Sequence, residues 1–240
     1  MGLIVPAVLP SSRKDLEERL ALFSRMLPVD RVQVDVVDGR FASPASWPYA
    51  SPGEMSRMRS RGETLPQLDR VAYEADLMCL DPLAAAEDWL ALGATRLTFH
   101  AETADDPAAL LAAAKARFGG GADFIDTHFV SFGLALDLAT DPARVEPCLG
   151  AISYIQFMGI ATIGRQGEPF DARVLERVKA FREKHPDVPV QVDGGVSLTT
   201  AKPLLALGVA NLVVGSAILD APDPLAVLKG LEGLSSPYGV

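Results

Sequence analysis

The sequence predicts a single (β/α)8 TIM barrel, and three observations carry the prediction. Short apolar stretches alternate with helix-patterned stretches almost to the end of the chain. Parallel strands need such crossovers, and strands covered on both faces read as short hydrophobic runs. Eight of these units fit within 240 residues, the count and size of a closed barrel. Polar residues that interrupt the strands fall at their C-terminal ends, where barrels gather functional side chains. An open doubly wound sheet is the alternative. It is weakened because no Gly-x-Gly-x-x-Gly follows the first strand. The barrel is expected to occupy residues 1–240 as one domain.

The elements follow in order. Leu3 to Leu9 forms the first strand. Ser11 or Ser12 caps a helix over Asp15 to Met26, in which Leu16, Leu20, Phe23 and Leu27 recur at three and four. Arg31 to Val37 is the second strand, with Val32, Val34 and Val36 alternating with Gln33, Asp35 and Val37. Asp38-Gly39 turns the chain. A loop rich in Ser, Pro and aromatics runs from Ala42 to Gly53, followed by an Arg-rich, poorly patterned helix. Val71 to Leu80 carries Asp76 and Met78 on the third strand. Asp81-Pro82 opens an alanine-rich helix that stops near Gly93.

Thr95 to Phe99 is the fourth strand, ending in His100-Ala-Glu102, and Asp106-Pro107 starts a helix to Phe118. The stretch Ala122 to Ser131, which contains His128, supports no assignment. Phe132 to Leu136 is the fifth strand, and Asp141-Pro142 opens a short helix. Ile152 to Met158 is the sixth strand, then come the loop Gly159 to Gly167 and a helix over Asp171 to Lys184. Val188 to Val192 leads into Asp193-Gly194-Gly195. Ser197 caps a helix through Leu207. Asn211 to Val214 is the eighth strand, ending at Gly215-Ser216, and Pro222 to Leu231 closes the chain as a helix.

Composition excludes several classes. The net charge is −9, and Arg57, Arg59 and Arg61 are flanked by Glu54 and Glu63. Nucleic acid and anionic membrane are therefore not expected partners. No apolar run reaches the roughly 20 residues of a membrane span, and the N-terminus has no signal-peptide pattern. Cys79 and Cys148 lie in apolar surroundings at no metal-binding spacing, which suits core residues in a reducing cytoplasm.

In a barrel, Gln33, Asp35, Asp76, His100 and Asp193 converge on one mouth. The plain alternative for Gln33 and Asp35 is a hydrogen-bonded pair anchoring the loop after the second strand. Val190-Gln-Val-Asp193 repeats Val32-Gln-Val-Asp35 and supports the reading as one edge of an active site. Three carboxylates in a partly dry mouth repel. One must be protonated, paired with a cation or metal-bound. No lysine stands at a strand end, so a Schiff-base aldolase is not expected. A divalent metal is the simplest neutraliser, and an oxygen-rich set favours Mg²⁺ or Mn²⁺ over Zn²⁺. Gly194-Gly195 and Gly215-Ser216 follow strands seven and eight, where barrels bind phosphate through backbone N–H groups. Serving tight turns is their alternative role. Gly164-Arg165-Gln166-Gly167 either closes over the anion, with Arg165 as its cation, or is a surface loop.

These stretches resemble the ribulose-phosphate 3-epimerase family along most of the chain. The matching residues are Val32 to Phe41, Asp76-Leu-Met78, His100-Ala-Glu102, Val192 to Val196 and Val214 to Ile218, in the family's order and spacing. The resemblance implies a phosphorylated ketopentose and a metal-assisted 1,1-proton transfer next to the carbonyl. Asp35 and Asp193 correspond to the family's acid and base, and Met78 and Met158 to its sulfur-lined wall. Val37 replaces a third methionine. The family's metal sits on two histidines and the two aspartates. Here Gln33 and Asp76 stand in the histidine positions, giving Gln33, Asp35, Asp76 and Asp193 as the implied ligand set for Mg²⁺, Mn²⁺ or Zn²⁺. Loss of both imidazoles weakens a Zn²⁺ site in particular. Pro6-Ala7 replaces Pro-Ser, and the loop after strand six is one residue longer and poorer in glycine. The family tends to form homo-oligomers.

The leading expectation is an epimerase of a phosphorylated ketose. A barrel that binds phosphosugar without catalysis is the second reading, and another phosphosugar lyase or isomerase the third. The missing Asp-x-Lys-x-x-Asp weighs against a decarboxylase. His100 reads as a packed strand-end histidine ahead of a catalyst, and His185 as a helix cap. Trp47 and Tyr49 either cover the mouth or pack at a subunit interface.

Overall fold

A computed structural model describes residues 3–24, 29–119 and 130–235. His128 lies outside the described residues. Eight strands close into one parallel barrel in sequence order. They are β1 (Leu3–Val8), β2 (Arg31–Val37), β3 (Ala72–Met78), β4 (Arg96–His100), β5 (Ser131–Leu136), β6 (Tyr154–Met158), β7 (Val190–Asp193) and β8 (Asn211–Val214). Leu3 pairs with Asn211 and Pro6 with Val214, which seals the sheet.

Helices α1 (Arg13–Ser24), α2 (Glu54–Ser60), α3 (Pro82–Ala91) and α4 (Pro107–Phe118) follow the first four strands. A 3-10 helix over Pro142–Ala151 follows β5 in place of an α-helix; it carries Pro147 in its interior, and proline lacks the N–H a helix interior uses. Helices α5 (Arg173–Lys184) and α6 (Leu198–Ala206) follow β6 and β7. The one-turn α7 (Ser216–Leu219) precedes α8 (Pro224–Ser235), a break the sequence reading does not foresee. The Asp-Pro signals work as caps. Asp81 accepts from the Ala84 N–H, Asp106 from those of Ala108 and Ala109, and Asp141 from that of Ala143. Each satisfies a donor that the helix start leaves unpaired. Ser12, rather than Ser11, caps α1 by accepting from the Asp15 N–H.

Strand alternation sorts residues between two compartments. Val32, Val34 and Val36 join the large apolar core between sheet and helices. Gln33 and Asp35, at alternate positions, belong to the opposite, inner face. The barrel interior is unusually polar. Buried Glu74 accepts from Arg96 Nε at 3.0 Å, Thr98 Oγ1 at 3.1 Å and the Tyr154 hydroxyl at 3.0 Å. These donors and the Arg96 charge offset the desolvation of the carboxylate. A Cβ on Gly133 would stand 2.3 Å from the Tyr154 ring, so glycine there gives the phenol its room.

One expectation is corrected. Trp47 covers neither the mouth nor an interface. It is 1% exposed in the apolar core, edge-on to Trp89 at 6.2 Å, and its indole N–H donates to Glu54 at 2.7 Å. Tyr49 packs against the same core. The apolar bodies of both rings remove more water here than at a rim. Cys79 and Cys148 are buried and free, as expected.

Candidate active site

Two loops fix the end of β2. Asp38 accepts from the N–H groups of Arg40 and Phe41, and with its other oxygen from that of Leu80, tying the β2 loop to the β3 loop. Ser46 accepts from the Val37 N–H and donates to the Asp35 carbonyl. Asp35 is thereby held at the mouth rather than on a mobile loop. Its register partner is Asp76. Asp193 ends β7, beside Met158 on β6.

Asp35, Asp76 and Asp193 each offer a carboxylate oxygen within 4.8 Å of the others. The Gln33 amide joins two of them, donating to Asp35 Oδ1 at 2.9 Å and to Asp193 Oδ2 at 2.7 Å. Its own oxygen accepts from Gln191 at 3.3 Å. Gln191 also donates to Gln156 at 2.8 Å, and Gln156 to Asp76 at 3.1 Å. The other Asp76 oxygen meets His100 Nε2 at 3.0 Å. Asp76 and His100 are fully buried, whereas Asp35 and Asp193 open partly to the mouth.

Electrostatics follow from this crowding. Burial, then the charges of Asp193 and Asp76, push the Asp35 carboxyl well above the ordinary range. Burial and the Asp76 charge raise Asp193 to about 7, against the opposing hydrogen bond from Gln33. Of the three ways to relieve carboxylate repulsion, protonation is the one this geometry supplies by itself. Both shifts favour the protonated carboxyl, so one group of the pair can donate while the other accepts.

The two aspartates face one cleft at the barrel mouth. Met78 and Met158 form part of its wall, and Gly164, Gly194, Gly195, Gly215 and Ser216 also reach it. All of the phosphate and sulfur positions expected from sequence are therefore brought together with Asp35 and Asp193. Gln33 and Asp76 lie beneath the cleft, not on it. The loop after β6 crosses the mouth: Arg165 Nε donates to the Ser43 carbonyl at 3.2 Å and Gln166 to that of Ala7 at 3.4 Å. Gly195 has φ +66°, and a Cβ there would stand 2.5 Å from the Phe170 Cα. The turn after β7 thus needs glycine sterically as well as for any anion.

The three carboxylates fit a hard divalent ion, which takes oxygen ligands. Gln33 turns its NH2 group, not its oxygen, toward them. Sequence reasoning missed Gln156 and Gln191, which carry the hydrogen bonds beneath the mouth. The repeated Val-Gln-Val-Asp was the available signal, since it places Gln191 two residues before Asp193 just as Gln33 precedes Asp35. His185 is as expected at a helix end: its N–H caps α5 by donating to the Phe181 carbonyl.

Fold and site define a (β/α)8 barrel with an acidic mouth. The chain belongs to the ribulose-phosphate 3 epimerase family, whose model matches residues 3–219. It is 27% identical over 232 residues to the cytoplasmic isoform of ribulose-phosphate 3-epimerase from Oryza sativa subsp. japonica, covering 95% of this chain and 92% of that one. It is 25% identical over 234 residues to ribulose-phosphate 3-epimerase of Escherichia coli, covering 96% and 94%. Enzymes so named are isomerases. Among solved structures, KGPDC from Streptococcus mutans in complex with a phosphosugar superposes with a TM-score of 0.69 at 18% identity, covering 98% of this chain and 97% of that one. 3-Hexulose-6-phosphate synthase from Salmonella typhimurium gives 0.67 at 18% identity, covering 98% of each. These two likenesses bear on the fold. Among the described residues no helix is long and apolar enough to cross a membrane.

Proposed function

We propose that this protein epimerises a phosphorylated ketose of the ribulose 5-phosphate type by proton transfer between Asp35 and Asp193. The observation that carries the reading is the pair itself: two carboxyls from β2 and β7, raised in pKa and joined by one amide, at the base of a single cleft. Asp35 takes the proton next to the carbonyl from one face, and Asp193 returns a proton to the other. Gln33 holds both carboxyls in register. Met78 and Met158 give the substrate carbons a dry, polarizable wall. The glycine turns after β7 and β8, with Ser216, take the phosphate, and Arg165 supplies its counter-charge. A divalent ion (Mg²⁺, Mn²⁺ or Zn²⁺) on Asp35, Asp76 and Asp193 would supply positive charge where substrate oxygen turns negative. In this reading the protein works in the cytoplasm, as a homo-oligomer, on a small phosphorylated sugar.

A second reading has its own support. The Gln33 NH2 group lies between the two aspartates, and both Asp76 oxygens already have partners. That arrangement suits a barrel that binds phosphosugar without turning it over. Solvent deuterium incorporation into D-ribulose 5-phosphate, followed by NMR with and without added divalent ions, separates the two. Exchange at C3 with xylulose 5-phosphate appearing is the expected result. Binding in a thermal-shift assay with no exchange under any ion would establish the second reading instead.

A further inference from the structure

A second cluster lies at the ends of β4 and β5 and takes no part in the proposed proton transfer. His100 ends β4, Glu102 sits in the 3-10 turn that follows it, and Asp137 comes directly after β5. His100 Nδ1 lies 3.9 Å from Glu102 Oε2 and 3.9 Å from Asp137 Oδ1. All three atoms are buried, and among the described residues none has a hydrogen-bond partner. They lie within 4.8 Å of one another.

The surroundings hold these atoms in place without satisfying them. His100 is 0% exposed, its Nε2 is engaged by Asp76, and the Phe41 ring packs on it at 5.5 Å. Glu102 uses its other oxygen to accept from the Asp137 N–H at 2.9 Å. Arg177, the nearby cation, donates to the carbonyls of Asp137, Leu138 and Thr140 rather than to these carboxylates. A proton on Nδ1 would not reach either oxygen, because 3.9 Å is beyond hydrogen-bond distance. A bare Nδ1 would leave three lone-pair donors facing one another, which is costly in a buried setting. A point equidistant from atoms so spaced lies no more than about 2.5 Å from each, close to the roughly 2.0–2.2 Å of nitrogen and oxygen ligands on zinc.

We propose that His100 Nδ1, Glu102 Oε2 and Asp137 Oδ1 form a binding site for a divalent first-row transition ion, separate from the Asp35, Asp76 and Asp193 set and independent of the epimerase reading. The imidazole selects a transition ion over Mg²⁺ or Ca²⁺. A histidine that ligates through one nitrogen commonly donates its other N–H to a carboxylate, which fixes the ring, and Asp76 stands in that place. Binding displaces any proton on Nδ1 to solvent. The ion is thereby linked through His100 and Asp76 to the floor of the cleft.

The test is Co²⁺ titration of the chelator-stripped full chain, read by NMR of ¹⁵N-histidine. The chain has three histidines, His100, His128 and His185, so the ring that moves is assigned by elimination. The expected result is one equivalent of Co²⁺ with the His100 signals shifted far outside the diamagnetic range. Asp137→Ala and, as a second variant, Glu102→Gln weaken that binding by at least the roughly 10–100-fold that loss of an outer-shell partner costs, with the far-ultraviolet circular dichroism unchanged. Asp193→Asn leaves the His100 shift in place. Co²⁺ that binds without moving His100 and is lost in Asp193→Asn would put the ion among the aspartates and overturn the proposal. So would no binding at millimolar Co²⁺ with protons on both His100 nitrogens, the signature of a water-bridged imidazolium.

Discussion

Gln33 donates its amide to Asp193 at 2.7 Å across the barrel, while the same nitrogen reaches Asp35 at 2.9 Å. A carboxylate that accepts a hydrogen bond is stabilised in its charged form, so this amide opposes the burial and charge that push both pKa values up. Two like groups are kept close and bridged by one amide. The cost of crowding is part of how the site is poised.

Replacing Gln33 by Met removes that donor at similar volume. Hydrogen bonds to charged groups contribute about 1.5–3 kcal/mol, which is roughly 1–2 pH units. The acidic limb of the pH–rate profile for deuterium exchange is therefore expected to move up by about that much. An unmoved limb would show that the amide does not govern the pair.

In the unaltered protein, kcat/KM for exchange should rise through about pH 7, where the doubly protonated pair loses its first proton. It should fall again at higher pH as the pair loses its second proton. Asp35→Asn is expected to abolish exchange, a loss of at least ~10²-fold. A flat profile through neutrality would show that another pair of groups sets the rate.

The same shifts have a stability consequence. A carboxyl with a raised folded-state pKa binds more protons folded than unfolded. Between its ordinary 3.8 and about 7 for Asp193, stability falls as pH rises. Asp193→Asn removes that loss. Its Tm should exceed that of the unaltered protein at pH 8, by about 2–4 °C for each kcal/mol relieved, and converge with it near pH 3. Scanning calorimetry at the two pH values decides this, and equal Tm at pH 8 would refute the raised pKa.

Why the barrel was legible while part of its interior was not is a matter of what periodicity encodes. Val32, Val34 and Val36 announce a strand because their neighbours differ in polarity, and Asp81-Pro82 and Asp106-Pro107 announce helix starts because each supplies a cap and a fixed φ. The mouth residues were readable because strand ends in a parallel barrel all point one way. The contacts beneath them were not. That Gln191 would find Gln33 and Glu74 depends on shear and closure across strands far apart in sequence, which no local pattern carries. Trp47 was misplaced for a related reason: a loop aromatic reads as exposed until its loop folds back under the helices. The Asp137 position drew no notice, because a lone acidic residue after a strand looks like any turn residue.

Arg165 tests the phosphate site. It is exposed and, among the described residues, is anchored through its Nε to the Ser43 carbonyl, so its loss should leave the barrel intact. Arg165→Ala is expected to raise KM for the phosphorylated sugar about tenfold with kcat nearly unchanged, the pattern of binding shared equally by ground and transition states. An unchanged KM would return the loop after β6 to a purely structural role.

Gly195 separates a turn that any glycine could make from one that the site requires. Gly62 and Gly195 have similar φ, +62° and +66°, yet among the described residues a Cβ on Gly62 meets nothing within 4 Å while one on Gly195 meets the Phe170 backbone at 2.5 Å. Gly62→Ala should therefore lose only the left-handed backbone penalty, about 1 kcal/mol. Gly195→Ala should lose clearly more, because Phe170 and the loop carrying it must move, and its KM for the phosphorylated sugar should rise as the turn after β7 shifts. Urea denaturation with both variants at one pH measures the difference. Equal losses would mean that the loop holding Phe170 yields easily, and that the close packing behind the proposed phosphate turn does not constrain it.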